Sequence, residues 1–378
     1  MALFTPAHDQ FRREVRDIVE TELAPRAAEF EEPSVVRSLF SRFGAWGWLG
    51  LSVPSEYGGR GLDFSYDVVL AEELPRCRTM GVALSLAAHA HFVIPYLVAH
   101  GSEAQRRNLL PDLVRGTKVA ALAATEPTGG TDLVRSVQCT AEDDGDFWII
   151  NGEKKFTTNG PIADYVLTLV RTAHSSGTTS FTLVMVPTNT PGLEVTTLRT
   201  MGMKSSPTGW LRFRGCRVEK SMTVGRQNLG FLYLMNGLQR ERLIASVSAV
   251  ALAELALTET ASRVRSRMIY DGRLADLQTV RHRIAEMAAE IESCRRFVHS
   301  VAETYRDGRI EGKEICMIKF HVMEKVQNIL GACLQLHGGE GYLDDHWLSR
   351  VFRDSRVFTI GGGVSEAMKD MVAGYLRL

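Results

Sequence analysis

Seven apolar residues, Val280, Ile284, Met287, Ile291, Cys294, Val298 and Val301, recur at alternating spacings of four and three. An α-helix turns once every ~3.6 residues, so this spacing lays all seven along one narrow stripe. Such a stripe is a seam against another helix and commits this part of the chain to a bundle. Asp307-Gly308 punctuates its end. A second stripe follows through Ile315, Ile318, Val322, Val326, Ile329, Cys333 and Leu336 and stops at Gly338-Gly339. Both stripes read as bundle core, and seams this regular also suit packing between subunits. The apolar run 243–257 is interrupted by Glu254 and reads as too short to cross a bilayer.

Helical spacing also marks residues 1–118, in "DQFRREVRDIVETELAPRAAEF" and "DVVLAEELPR", with glycine-rich "PSEYGGRGLD" as a connection. Residues 119–225 have a different texture. "VQCTAEDDGDFWIING" holds two β-prone runs around an acidic-glycine turn, and Asn151-Gly152 reads as a further hairpin signal. "DYVLTLVRT" and "SFTLVMVP" flank "AHSSGTT", and "GWLRFRGCRVE" alternates. The expected fold is α+β: an N-terminal α-helical domain (1–118), a central antiparallel β-barrel or sandwich (119–225), and a C-terminal four-helix-bundle-like domain (226–378).

Lys+Arg and Asp+Glu both number 44, which gives no basic excess for nucleic acid and no electrostatic pull toward a membrane. The six cysteines are dispersed without a C-x-x-C pair, so free thiols in a reducing cytoplasm are expected, with no metal and no disulfide framework. The N-terminus enters an amphipathic helix directly, with no signal or transit pattern.

Four motifs stand on this framework: "ALAATEPTGGTD" (121–132), read as ending a helical stretch; "NGEKKFTTNG" (151–160); "LQLHGGEGY" (334–342); and "FRDSRVFTIGGGVSE" (352–366). Together and in this order they resemble the acyl-CoA dehydrogenase family of flavoproteins over essentially the whole chain. The texture is that of the long-chain and isovaleryl-type members. The resemblance implies FAD. A flavin dinucleotide needs backbone N–H groups and small residues near its pyrophosphate, and hydroxyl partners along its ring. Thr125, Gly130 and Thr131 match the loop that runs against the flavin, with Thr131 also near substrate. Phe156 and Thr158 match the aromatic-x-Thr beside the isoalloxazine, where tryptophan is commoner at Phe156. Arg267, Tyr270 and Gln278 match cofactor contacts made from a neighbouring subunit, Arg267 pairing with pyrophosphate. Tyr270 replaces a phenylalanine. Asp271 replaces a glycine, where it either weakens flavin binding or turns to solvent. Gln335, Gly339 and Glu366 match further dinucleotide positions.

In most of the family the terminal motif reads I-Y-E-G-T, and its glutamate removes the α-proton of an acyl thioester. Here Gly361 stands at the tyrosine, Gly362 at the glutamate and Val364 at the threonine. Long-chain and isovaleryl-type members carry the base instead on the helix that opens the C-terminal bundle. In "GFLYLMNGLQRERLIASV" (230–247) that position is Glu241. The resemblance therefore implies Glu241 as base and the Gly362 amide as donor to the thioester oxygen, with Gly361 leaving room for long or branched acyl groups. Arg242 matches an arginine that contacts CoA; a salt bridge to a nearby acid is the equal alternative. The activity implied is α,β-desaturation of an acyl-CoA, with an electron-transfer flavoprotein as acceptor and a homotetramer or homodimer as the assembly. Two alternatives keep the fold: desaturation of an acyl or aminoacyl group on a carrier protein, and a flavin monooxygenase or oxidase. A non-catalytic flavoprotein is the third.

Overall fold

The computed structural model describes residues 3–172, 177–309 and 311–378. Six helices come first: α1 (Pro6–Ile18), α2 (Pro33–Ala45), α3 (Phe64–Glu73), α4 (Met80–Ala90), α5 (Ile94–His100) and α6 (Glu103–Val114). The "PSEYGGRGLD" segment joins α2 to α3 as expected, with a short helical turn at Ser55–Tyr57. The residues of α4 are almost all buried, Leu84 being half-buried. Its small residues let the sheet and the bundle close on it from different sides. Gly81 shows how tightly, since a Cβ there would stand 2.8 Å from Ser205.

The middle of the chain forms β1 (Ala120–Ala123), the short helix α7 (Leu133–Ser136), β2 (Thr140–Asp144), β3 (Phe147–Thr158), β4 (Tyr165–Arg171), β5 (Phe181–Pro187), β6 (Leu193–Leu198), β7 (Thr208–Glu219) and β8 (Thr223–Val224). They make one eight-stranded sheet in the order β6-β7-β3-β2-β4-β5-β8, with β1 joined to β4. Three sequence expectations change here. The sheet is mixed, because β1 and β2 both meet β4 in parallel. Residues 120–123 are a strand and not the end of a helix. Asn151-Gly152 is not a turn; it is a bulge inside β3, where the pairing with β7 shifts. Gly152 is required there: its φ is +136°, and a Cβ would lie 2.6 Å from Cys139 Cα. Asn151 accepts from the Gly215 N–H at 2.7 Å. The true hairpin turn lies at Gly145 (φ +64°), between β2 and β3. Residues 173–176 of "AHSSGTT" lie outside the described residues.

The near-continuous apolar runs of β4 and β5 have a simple cause, since both faces are covered. Val166, Val170, Val184 and Val186 point into the core between the two halves of the sheet. Leu167, Leu169, Phe181, Leu183 and Met185 point toward α5, α6 and the start of the next helix.

That helix, α8 (Gly230–Ser266), opens the bundle, approaching β5 so closely that a Cβ on Gly230 would stand 2.7 Å from Leu183 N. A small hairpin, β9 (Met268–Ile269) and β10 (Gly272–Arg273), leads into α9 (Gln278–Arg306), α10 (Gly312–His337), α11 (Trp347–Ser355) and α12 (Ser365–Tyr375). The residues of both stripes are buried or half-buried, and both stripes pack into the same core as α8, so they serve packing inside one chain. Thr260 and Arg263 meet His337, while Arg242 and Lys319 meet the segment between α11 and α12, so α8 and α10 run parallel. Two stretches, Met80–His100 and Gly230–Ser266, have the length and apolarity to cross a membrane, so the run 243–257 belongs to a longer apolar helix than its own span suggests. Most of each is covered by protein, 67% and 61%, as core helices are.

Candidate active site

The triglycine 361–363 forms the turn before α12. Gly362 and Gly363 both have positive φ, +69° and +109°. The Gly361 N–H donates to Val357 O at 2.8 Å, but the Gly362 N–H donates to no described residue. The Gly362 carbonyl accepts from Arg242 Nε at 2.9 Å. Arg242 is buried and makes no ion pair with a described carboxylate. Of the two roles expected of it, the salt bridge is not made among the described residues; the side chain holds the turn.

Glu241, one residue earlier on α8, is 6% exposed, and its Oε1 has no hydrogen-bond partner among the described residues. Burial pushes its pKa up to about 8, and the Arg242 charge offsets only part of that. Across from it on α5 lies Tyr96, buried, donating to Leu234 O at 3.3 Å. Its hydroxyl occupies the notch left by Gly237, where a Cβ would stand 2.0 Å away.

The loop after β1 carries Thr125, Gly130 and Thr131, the last two exposed. A buried ion pair supports it. Lys154 Nζ lies 2.7 Å from Glu126 Oε1 and also donates to Ala124 O at 3.1 Å. The two Glu126 oxygens accept from Gln138 N and Cys139 N at 2.7 and 2.9 Å. The Lys155 N–H then ties Thr125 O to β3 at 2.8 Å. At the second irregularity of β3, Phe156 takes φ +64° and projects a ring that is 59% exposed, with half-buried Thr158 two residues on. An exposed phenylalanine on a left-handed backbone is costly unless something lies against it. Glu366 is exposed and lines a cleft of about 450 Å³ with Gln327, Asn328, Arg356 and Thr359.

The remaining residues are elsewhere. Arg267 follows the end of α8, and Tyr270 (φ +50°) and Asp271 form the tip of the β9–β10 hairpin. Gln278 starts α9, and Gln335 and Gly339 lie at the end of α10. All are exposed, Tyr270 by 92%, and Asp271 turns to solvent. Because α8 and α10 are parallel, this group is at the opposite end of the bundle from Glu241. Along α8 the residues from Glu241 to Ser266 span about 38 Å. One chain does not bring the two groups together.

Comparison with known proteins matches the whole architecture. Residues 5–117, 121–216 and 228–376 match the N-terminal, middle and C-terminal domains of acyl-CoA dehydrogenase. The mitochondrial long-chain specific acyl-CoA dehydrogenase of Sus scrofa is 34% identical over 375 residues, covering 98% of this chain and 86% of its own. The mitochondrial isovaleryl-CoA dehydrogenase of Oryza sativa subsp. japonica is 32% identical, covering 98% and 91%. The crystal structure of an acyl-CoA dehydrogenase from Geobacillus kaustophilus superposes with a TM-score of 0.94 at 34% identity, covering 99% of both chains. This chain belongs to the acyl-CoA dehydrogenase family. It is an oxidoreductase of that flavoprotein family, and the expected fold of helices, sheet and helices is the family's.

Sequence reasoning about this family member passed over three groups that the structure puts at the site. Lys154 and Glu126 support the loop from below, and only the pairing of β3 with the loop reveals them. Tyr96 carried no signal beyond being aromatic. Lys319 did carry one: it interrupts the buried face of α10 between Cys316 and Met323.

Proposed function

We propose that this acyl-CoA dehydrogenase family member desaturates an acyl thioester between its α and β carbons, with Glu241 as general base and FAD as cofactor. One observation carries the reading: a buried, unpartnered carboxylate sits beside the arginine that holds a side-chain-free turn at 361–363. A base needs a pKa near working pH, and a dry carboxylate has one. The thioester carbonyl acidifies its α C–H; Glu241 takes that proton, and the electron pair left behind is drawn toward the thioester oxygen. The Gly362 N–H, free of any described acceptor, is the donor for that oxygen. Arg242 fixes its direction by holding the next carbonyl of the same turn. Gly361 is the position proposed to leave room for long or branched acyl groups: it is exposed, and a Cβ there would only touch Val357, at 3.6 Å.

The residues fit FAD. A Cβ at Gly130 would stand 2.9 Å from Thr125 Cγ2, so backbone there stays bare beside two threonine hydroxyls, and Phe156 offers a largely exposed ring with the Lys155 ammonium 5.3 Å from its centre. FAD held there would supply the acceptor for the β-hydrogen, which leaves as hydride. Thr125, Gly130, Thr131, Phe156 and Thr158 would hold it with Glu366. Arg267, Tyr270, Gln278, Gln335 and Gly339 would serve the site of a second copy in a homotetramer. An electron-transfer flavoprotein is the proposed acceptor.

The test is anaerobic mixing of the yellow protein with acyl-CoA esters of varied length and branching. Bleaching of the visible flavin band is expected, and it should vanish in Glu241→Gln. Bleaching that survives in Glu241→Gln would remove the base assignment. No bleaching by any CoA ester would move the substrate to an acyl group on a carrier protein, the next ligand to mix.

A further inference from the structure

Lys319 is 2% exposed on α10. Its ammonium donates to the Phe358 carbonyl, at the start of the terminal segment. Its Cε lies 3.6 Å from where a Cβ on Gly362 would stand. No described carboxylate pairs with it, and the charge it feels is a second cation, Arg242. Burying an ammonium against a single carbonyl is costly, and a methionine would fill the same space without that cost. Burial draws its pKa down to about 8, which leaves it protonated at neutral pH. The cation is therefore present, unpaired, directly behind the turn.

We propose that Lys319 is a positioning residue for the enolising step: it clamps the terminal turn through Phe358 and keeps a fixed positive charge behind Gly362. This rests on the reading of Glu241 and Gly362 given above. In that step the α C–H bond breaks, the proton goes to Glu241, the C–H electron pair forms the carbon–carbon double bond of the enolate, and the carbonyl pair moves onto oxygen. No oxidant enters. The negative charge develops on the oxygen held by the Gly362 N–H, at the same turn against which Lys319 and Arg242 both lie. A preorganised cation in a dry site lowers the energy of that oxyanion and does little for the neutral thioester.

The experiment reads the ligand. A series of 3-oxoacyl-CoA esters, from acetoacetyl-CoA to long-chain members, is titrated into the holoenzyme at one fixed pH. Their α-hydrogens are acidic, and the enolate has its own ultraviolet band. The parent is expected to bind one or more of them as the enolate. Lys319→Met is expected to lower the enolate-to-keto ratio about tenfold, equivalent to about 1.4 kcal/mol, and Lys319→Arg to recover most of it. An unchanged ratio in folded Lys319→Met would overturn the proposal while leaving Glu241 and Gly362 in place. Absence of enolate in the parent with every ester would overturn the underlying reading and this inference with it. If Lys319→Met does not fold, Lys319→Gln keeps an N–H donor for Phe358 and is read by the same criteria.

Discussion

Glu241 is held protonated by its surroundings well above the ordinary carboxylate value of 4.5. As a base it works only when ionised, so kcat/KM should rise with pH through an apparent pKa near 8. Glu241→Gln should flatten that profile and lower kcat by ~10²–10⁴. The same shift acts on stability with a definite sign. The folded state holds a proton that the unfolded state releases between pH 4.5 and about 8, so stability falls as pH rises through that window. Thermal melts across the window should show this decline in the parent and less of it in Glu241→Gln. Neighbouring glycines differ in what they tolerate. At Gly362 an added methyl group meets only Lys319 at 3.6 Å, so Gly362→Ala should cost the left-handed penalty of about 1–2 kcal/mol. At Gly363 the φ is +109° and Met368 Cε would be 2.7 Å away, so Gly363→Ala should melt lower still and disturb the Arg242 hydrogen bond.

Among the elements, legibility followed the range of the forces involved. The α9 and α10 stripes were readable because helical periodicity is local, and both helices end near the glycines that mark them. Val166, Leu167, Leu169 and Val170 were readable as strand because two buried faces demand an apolar run. Asn151-Gly152 was misread because a turn and a bulge ask the same thing of a short segment, a glycine with positive φ. The shifted pairing with β7, and Cys139 packed against Gly152 from just before β2, distinguish them. Residues 120–123 were misread because three alanines around Leu122 show no periodicity, and their strand state comes from pairing with β4, far along the chain. Glu126 and Lys154 were invisible for the same reason. They also make the sharpest prediction at this scale. Lys154→Met leaves a buried, hydrogen-bonded carboxylate without its cation, which should cost about 3–5 kcal/mol. Melting temperature and bound flavin should fall together, and Glu126→Gln in the same chain should restore part of both. Retention of flavin in a destabilised Lys154→Met would separate the loop from the cofactor.

At the scale of the molecule, Glu241 with the 361–363 turn and the group of Arg267, Tyr270, Gln278, Gln335 and Gly339 stand at opposite ends of the bundle. The motifs pointed to these residues; their separation was not legible, because it depends on α8 and α10 running parallel. The far end is also where large apolar groups stand open: Tyr270 is 92% exposed and Tyr342 86%, with Met268, Leu277 and Leu343 near them in sequence. Patches of this kind mark interaction surfaces. Tyr270→Asp with Leu343→Asp should therefore lower the mass measured by light scattering and release FAD, while the helical circular dichroism stays. A monomeric parent that keeps its FAD would break the link between assembly and cofactor.

α8 has no proline and no glycine after Gly237, so from Glu241 to Ser266 it behaves as one stiff beam. In an assembly, a neighbour gripping Arg267 would load the same beam that carries Glu241. Seating of the base in one copy and occupancy of the flavin in the next would then be joined through a single helix.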